Sequence, residues 1–535
     1  MKRFLSSLTA LILVLAMVLT MAACSGTKKE STSGTDSAKT NSTGTNNQSG
    51  DTKGPEEDPF LTGEKPELNI LTYYTAFNMK EQPSQKVVEE MTGYKVNWFN
   101  LPMDNPDEKL LLEIAGGTSY DLLMRMTPNQ ANQLYVQNAL YDLKPYLDKY
   151  GQNIYAAVSD MAMASVTDEK GMIYGIPHES FDGPQPGGNP YGVLKGGIGF
   201  NTAYLEDLGM DIPTNIDQLY EILKKYTEKA GKAAFTQAAG GWNTTILAAF
   251  GMGDAGWYEV DGKYLPRIKH PKAAEYLAFM QKLYKEGLLD NDFPINTVQS
   301  AKEKFTNGTT IAYPVMFWDI DGIYSAFEAA GVNAKVKVAT YLAPDANTAP
   351  HVYVNHGISH LTCIPKTAKN PEHAMIWFNT ISDVKNFEKI YIGEEGVTYE
   401  IKNGSYYPIF PAFADYTNSD KFTGVVPTDR VFEMWQARVR KTEAMSEMYD
   451  QMNSRINEYT IYNYYESYAS SIEAVQKNKS ALDKMVDDSL IQAIVSGEDP
   501  QTAINKIIAN WDKNGGAEYE NAMETWYAEN KSKFN

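Results

Sequence analysis

Cysteine is almost absent from the 535-residue chain, with only Cys24 and Cys363. A disulfide framework is therefore excluded, and a buried core must hold the fold. Histidine is scarce as well, at six, and no His-Glu-x-x-His pair occurs. Nor is there a Gly-x-Ser-x-Gly elbow or a glycine loop running into Lys-Ser/Thr, so the chain carries none of the local signatures of zinc proteases, serine hydrolases or P-loop enzymes. Positive charge is short: 48 Lys and Arg against 67 Asp and Glu leave a net charge of −19. Such a balance disfavours nucleic acid and anionic membrane surfaces as partners. No internal repeat or heptad run appears, which excludes solenoids and coiled coils. The one long apolar run, Leu8 to Leu19, is too short and unflanked for a membrane-spanning helix.

That run instead reads as an export signal. Lys2 and Arg3 precede it, and Met21-Ala22-Ala23-Cys24-Ser25-Gly26 follows. Small residues directly before a cysteine look like a lipoprotein processing site, so residues 1–23 are expected to be a signal peptide and Cys24 the lipidated residue. Acyl chains on Cys24 would tether the protein to the outer face of the cell membrane. Residues 24–59 hold Ser, Thr, Gly, Asn and Lys with almost no large apolar side chain, the composition of a flexible tether.

The folded body is expected from Phe60. Leu68 to Tyr74, Val96 to Leu101 and Tyr120 to Met124 read as strands. Helices over Ser84 to Met91 and Asp107 to Ala115 alternate with them, and Gly93 and Gly116-Gly117 stop those helices. The alternation predicts a parallel sheet covered by helices. Further on, Gly171 to Pro177 reads as a strand entering a Gly/Pro-rich loop over 181–192, and Gly187-Gly188 and Gly196-Gly197 as loop and hinge glycines. Asn215 opens a helix, Pro271 and Gly287 bracket another, and Asp499-Pro500 starts one in a mostly helical last hundred residues. Cys363, inside Leu361 to Pro365, is expected to be a buried, inert thiol.

Several of these stretches together resemble a known family. They are the processing site, the tether, Gly-Met-Ile-Tyr-Gly-Ile-Pro over 171–177 and Phe-Thr-Asn-Gly-Thr-Thr-Ile-Ala-Tyr over 305–313. Tyr-Ile-Gly-Glu-Glu-Gly-Val-Thr-Tyr-Glu over 391–400 and the closing Trp511, Gly515-Gly516, Trp526-Tyr527 pattern complete the set. The chain resembles the family 1 extracellular solute-binding proteins of ABC importers, specifically the large oligosaccharide-binding lipoproteins of Gram-positive bacteria. The resemblance implies an α/β, two-lobed, periplasmic-binding-protein-like fold, each lobe a sheet flanked by helices, with a hinge between the lobes. Lobe 1 would take residues 60–197 with about 357–408, and lobe 2 residues 198–356 with about 409–535. Crossings are expected near 195–200, 353–359 and 406–413. It implies a monomer that hands an oligosaccharide to ABC permease subunits and contacts the membrane only through its lipid. No cofactor is implied. Some relatives carry a calcium loop, but the matching stretch Tyr226 to Phe235 lacks alternating oxygen ligands, so no metal is expected there.

Sugar recognition calls for aromatic faces against pyranose rings and planar polar groups against hydroxyl pairs. Residues at the carboxyl ends of parallel strands face such a cleft. On that basis the candidate ligand-binding residues are Tyr73, Tyr74, Arg125, His178, Glu179, Trp242, Asn243, Trp318, Asp319, Tyr353 and Asn355. Met126 and Thr127 adjoin Arg125, and His356 adjoins Asn355. Tyr284, Trp377, Trp511 and Trp526 lie on helical faces and are assigned to packing. For Trp318-Asp319 two readings stand open: a stacking face beside a carboxylate, or a core plug beside a helix cap. The rival classes are an enzyme, a zinc-binding protein and a peptide-binding or sensory lipoprotein. Glu394-Glu395 are adjacent and cannot flank a glycosidic bond. His351, His356 and His360 invite a zinc reading, set aside because the stretch reads as a strand passing into a loop. The overall acidity weighs slightly against a uronate ligand, although cleft charge and net charge are different things.

Overall fold

A stretch such as Leu68-Asn69-Ile70-Leu71-Thr72 is apolar at nearly every position, as a strand covered on both faces must be. The computed structural model describes residues 58–181 and 194–534. The expected signal, Cys24, the tether up to residue 57, and the Gly/Pro loop with Gly187-Gly188 lie outside the described residues. The body starts at Asp58, whose side chain caps the helix Pro59–Thr62, and Phe60 packs edge-on against Tyr150.

The strands in chain order are β1 Leu68–Thr72, β2 Val96–Asn100, β3 Leu122–Met126, β4 Ile176–Phe181, β5 Gly196–Asn201, β6 Trp257–Val260 and β7 Lys263–Pro266. They continue as β8 Ala312–Met316, β9 Val336–Ala339, β10 His351–Cys363, β11 Tyr399–Lys402, β12 Ser405–Pro408 and β13 Thr460–Tyr464. The first sheet runs β13-β10-β3-β1-β2, with β4 also on β10. β1 lies parallel to β2 and β3. The helices Pro83–Thr92 and Pro106–Ala115 make the crossovers, and Gly93 closes the first of them at φ 73°. Left-handed backbone there favours glycine, which has no Cβ to clash. Leu68, Ile70, Leu123, Met124, Trp377 and Phe378 form the buried centre of this region.

The second sheet is antiparallel, β8-β5-β9. Ile198 and Phe200 of β5 bury one face against Leu219, Leu277 and Leu283. The other face is glycine. Gly196 and Gly197, expected as loop or hinge glycines, lie within β5. A Cβ on Gly197 would sit 2.3 Å from the Ala339 carbonyl oxygen, and one on Gly199 would sit 2.8 Å from both methyls of Val315. The glycines let neighbouring strands fold their side chains over β5. The long helices Glu473–Ser496 and Pro500–Trp511 pack beside Ala273–Lys285, placing Leu490, Ile504 and Ile507 in the same core.

β10 connects the two regions. Its first half pairs in parallel with β13, and its second half pairs with β4 and β3. Val352 and Val354 pack with Phe317, Val338 and Met448, whereas Ile358, Leu361 and Cys363 belong to the first sheet's core. The stretch expected to end as a loop is thus one continuous strand through His360. The strand expected over 171–177 begins only at Ile176. Before it comes a turn held by Asp168, whose Oδ1 accepts from the backbone N–H groups of Lys170 and Met172 on either side of Gly171. The stretch 406–413, expected as a crossing, stays in one cluster: Tyr406 and Phe413 pack with Phe387, Tyr391 and Met434.

Candidate functional site

Two groups of polar and aromatic side chains gather along β10. The first lies where β1 and β3 end. Tyr73 follows β1, and its ring stacks on His360 at 6.0 Å with the planes 25° apart. The Lys421 ammonium sits 4.8 Å from the centre of the Tyr73 ring, a cation–π contact. Tyr74, the next residue, is 39% exposed. Arg125 lies within β3 at φ 58°, a left-handed conformation that costs a side-chain-bearing residue about 1–2 kcal/mol. Its backbone N–H donates to Thr362 Oγ1 at 3.3 Å, and its Nη2 donates to Thr423 Oγ1 at 2.7 Å. The Nε of Arg125 is buried with no hydrogen-bond partner among the described residues. Met126 is fully buried, and Thr127 caps the helix Pro128–Val136, so both serve the fold.

His178 and Glu179 lie on β4. His178 Nε2 is 2.8 Å from Thr362 Oγ1, and burial holds the imidazole well below its usual pKa, with the Arg125 charge adding to the effect. His360 is pushed down to about 3 by burial and then by Arg125, Lys421 and Lys195. Glu179 accepts from the Ser159 N–H at 2.9 Å, the Ser159 hydroxyl at 2.6 Å and the Tyr468 hydroxyl at 3.0 Å. Arg125, His178, Glu179, Tyr391, Asp420 and Thr423 share the wall of a cavity of about 200 Å³. Asp420 lies well below the carboxylate range. Its desolvation is outweighed by Lys421, Arg438 and Lys441 together.

The second group faces β5 and β8. Asn243, Trp318, Tyr353 and Asn355 line one cavity of about 190 Å³ together with Lys195 and Tyr341. Trp318 is 45% exposed, with its ring edge-on to Phe317 at 4.9 Å, so it does not plug the core. Asp319 is mostly committed to local structure: its Oδ2 accepts from the Met316 N–H at 3.1 Å, and burial raises its pKa. Tyr353 stacks on Tyr462 at 5.0 Å and donates to the Gly251 carbonyl at 3.3 Å. Asn355 Oδ1 is buried with no hydrogen-bond partner among the described residues. Asn243 uses its amide inside the protein, capping the helix Thr244–Leu247 and donating to Gln237 Oε1 at 2.8 Å. Trp242 stands apart in a different cavity, packed on Tyr276 and the Arg267 guanidinium.

The structure thus divides the expected residues into two groups and leaves Trp242 outside both. It adds residues that carry no local signal. Lys421 reaches Tyr73 and Thr423 reaches Arg125 from about three hundred positions downstream, and Lys195 acts on His360 across the sheet boundary. No group of three or more His, Cys, Asp or Glu side chains poised for a metal occurs among the described residues. The Tyr226 end of the stretch compared with a calcium loop is the last turn of the helix Ile216–Ala230. Trp377 and Trp511 are buried, and Tyr284 and Trp526 pack against the cores, as their helical faces predict. Cys363 is buried, and burial raises its thiol to about 12.

Two α/β regions, each with its own sheet and flanking helices and joined through β10, are the architecture of periplasmic-binding-protein-like solute receptors. The chain belongs to the bacterial extracellular solute-binding protein family, whose model matches residues 78–383. It is 32% identical over 254 residues to an uncharacterized protein in the butB 5′ region of Niallia circulans, covering 47% of this chain and 98% of that one. It is 22% identical over 489 residues to the polygalacturonan/rhamnogalacturonan-binding protein YtcQ of Bacillus subtilis, covering 86% and 92%. Among solved structures it resembles the alginate-binding protein AlgQ2 in its form without calcium ion. There the TM-score is 0.64 at 17% identity, over 88% of this chain and 100% of that one.

Proposed function

We propose that this chain is the substrate-binding lipoprotein of an ABC importer, one that captures an extracellular oligosaccharide between two lobes and delivers it to the permease. The observation that carries the reading is the convergence along β10 of aromatic faces with planar polar groups: Tyr73 beside His360 and Arg125, and Trp318 beside Tyr353 and Asn355. Stacking plus hydrogen bonding to hydroxyl pairs is what pyranose recognition requires. YtcQ and AlgQ2 are named for polysaccharide ligands, which supports the same class.

In this reading the lobes follow the packing clusters. Lobe 1 takes residues 60–181 and about 357–437 together with Tyr468, and lobe 2 takes residues 196–356 and most of about 443–523. The protein acts as a monomer at the outer membrane face, held by lipid on Cys24, and it binds without turnover. No helix among the described residues is long and apolar enough to cross a membrane, and in this reading the lipid is the anchor.

A thermal-shift screen against plant and microbial oligosaccharides tests the assignment. A sugar at about 100 times its Kd should add about 2.7 kcal/mol of stability. At least one sugar should raise the melting temperature while peptides leave it unchanged. Peptides that stabilise the protein while every sugar fails would overturn it.

A further inference from the structure

β10 is one link between the two regions, and the run after β13 is another. From Tyr465 to Tyr468, each of four consecutive side chains holds a different element. The Tyr465 ring stacks on Phe534 at 4.0 Å with the planes 5° apart, and its hydroxyl donates to the Phe534 carbonyl at 3.1 Å. The Glu466 carboxylate accepts from the backbone N–H of Gly256 at 2.9 and 3.0 Å and from that of Trp257 at 2.9 Å. Ser467 Oγ accepts from the Ile358 N–H of β10 at 2.9 Å, and the Tyr468 hydroxyl donates to Glu179 Oε1 of β4 at 3.0 Å.

These anchors alternate between the regions. Tyr465 and Phe534 pack against the first sheet's core, Trp257 lies in the core around β5, and Ile358 and Tyr468 lie in the first again. Ile358 is the cross-strand partner of Glu179, so Ser467 and Tyr468 fasten β10 and β4 at one level. Gly357 lets the run come this close: its φ is 155°, and a Cβ there would run into Ser467 Oγ. Glu179 also lines the cavity whose wall holds Arg125. Two of its donors, the N–H and the hydroxyl of Ser159, come from beside Val158 in the first core, and Tyr468 is the third. An occupant of the cavity that draws on Glu179 competes with Tyr468 for the same carboxylate and weakens its hold on the run.

We propose that Tyr465 to Tyr468 is the pivot between the two regions, and that Tyr468 latches it to the cavity wall through Glu179, so that occupancy of the cavity is passed to the pivot. Tyr468 is thus a positioning residue, acting through Glu179. The inference adds regulation to the site of the proposed function. It rests on that reading only for the nature of the occupant, and its test needs no sugar.

The test is amide hydrogen exchange, read by mass spectrometry on the ligand-free full chain. Tyr468→Phe keeps the ring and removes the latch. It should speed exchange about 10-fold or more at Gly256, Trp257 and Ile358, as the loss of a hydrogen bond to a charged group predicts. β1 and the helix Ala273–Lys285 should exchange as in wild type. Ser159→Ala also takes a donor from Glu179, and a cap from the helix Asp160–Ser165, yet it leaves Tyr468 in place and should leave Gly256 and Trp257 at their wild-type rates. Glu179→Ala should reproduce the Tyr468→Phe pattern, and the double variant should add nothing to it. If Glu179→Ala fails to fold, Tyr468→Phe and Ser159→Ala, each short of one hydroxyl, still decide. Wild-type exchange at Gly256 and Trp257 in Tyr468→Phe, an equal effect of Ser159→Ala, or a uniform speeding across both regions would overturn the latch. Failure of every sugar in the thermal-shift screen would overturn the oligosaccharide reading and leave the pivot standing.

Discussion

The ring of Tyr73 lies over that of His360, 6.0 Å centre to centre, and the Lys421 ammonium stands 4.8 Å from the centre of the same tyrosine ring. Burial, with cations nearby, holds that imidazole in its neutral form. The same contacts therefore tie the proposed binding region to the stability of the fold.

Acid should destabilise the protein through its histidines. His360 is pushed down to about 3, His270 to about 4, and His178 well below its ordinary value. An unfolded histidine titrates near 6.5, so below that pH the unfolded chain binds more protons than the folded one, and stability falls as pH falls. Each group should cost about 1.4 kcal/mol per pH unit between roughly 6.5 and its folded pKa. Urea melts from pH 7 to pH 5 should show this loss before most carboxylates titrate. His360→Gln should reduce the slope, and an unchanged slope would refute the account of His360.

Arg438 gives a second prediction. It is 4% exposed at its side chain, and it donates to the carbonyls of Tyr391, Tyr416 and Thr417 as well as to Ser419 and Asp420. Arg438→Met should leave Asp420 poorly compensated and cost about 3–5 kcal/mol of stability. Chemical denaturation checks it, and a loss below about 1 kcal/mol would mean the pair is solvated.

A third concerns β5. Gly199→Ala would bring a Cβ to 2.8 Å from both Val315 methyls and 3.0 Å from Val336 Cγ1, an overpacking worth roughly 1–3 kcal/mol. Adding Val315→Ala should recover part of that loss. Equal stability of Gly199→Ala and wild type would show that β5 has room to shift.

Much of the fold is legible in local pattern. The run Leu68 to Thr72, the stop at Gly93 and the cap at Asn215 each announce their element because the cause lies within a few residues. β13 is not legible: Thr460 to Tyr464 is short, half exposed and an edge strand, so no strong alternation marks it. Nor is the close approach of Val338 to Gly197 and of Val315 and Val336 to Gly199 legible, since those valines lie more than a hundred residues downstream. At the candidate site, Tyr73, Arg125, Trp318 and Tyr353 can be chosen as candidates because each lies near a strand end or an expected crossing. Lys421 and Thr423 cannot, since only the folded chain brings them beside Tyr73 and Arg125. Asn243 and Asp319 look like binding residues from their neighbours, yet their polar atoms are taken up by capping and by a backbone N–H.

The most direct test of the central claim is the affinity of Trp318→Ala for whichever oligosaccharide the thermal-shift screen identifies. At 45% exposure, the ring has little to lose to the core and much to offer a pyranose face. Calorimetry should show a loss of about 1–3 kcal/mol in binding, with the ligand-free melting temperature unchanged. Full affinity in Trp318→Ala would contradict the placement of the ligand along β10.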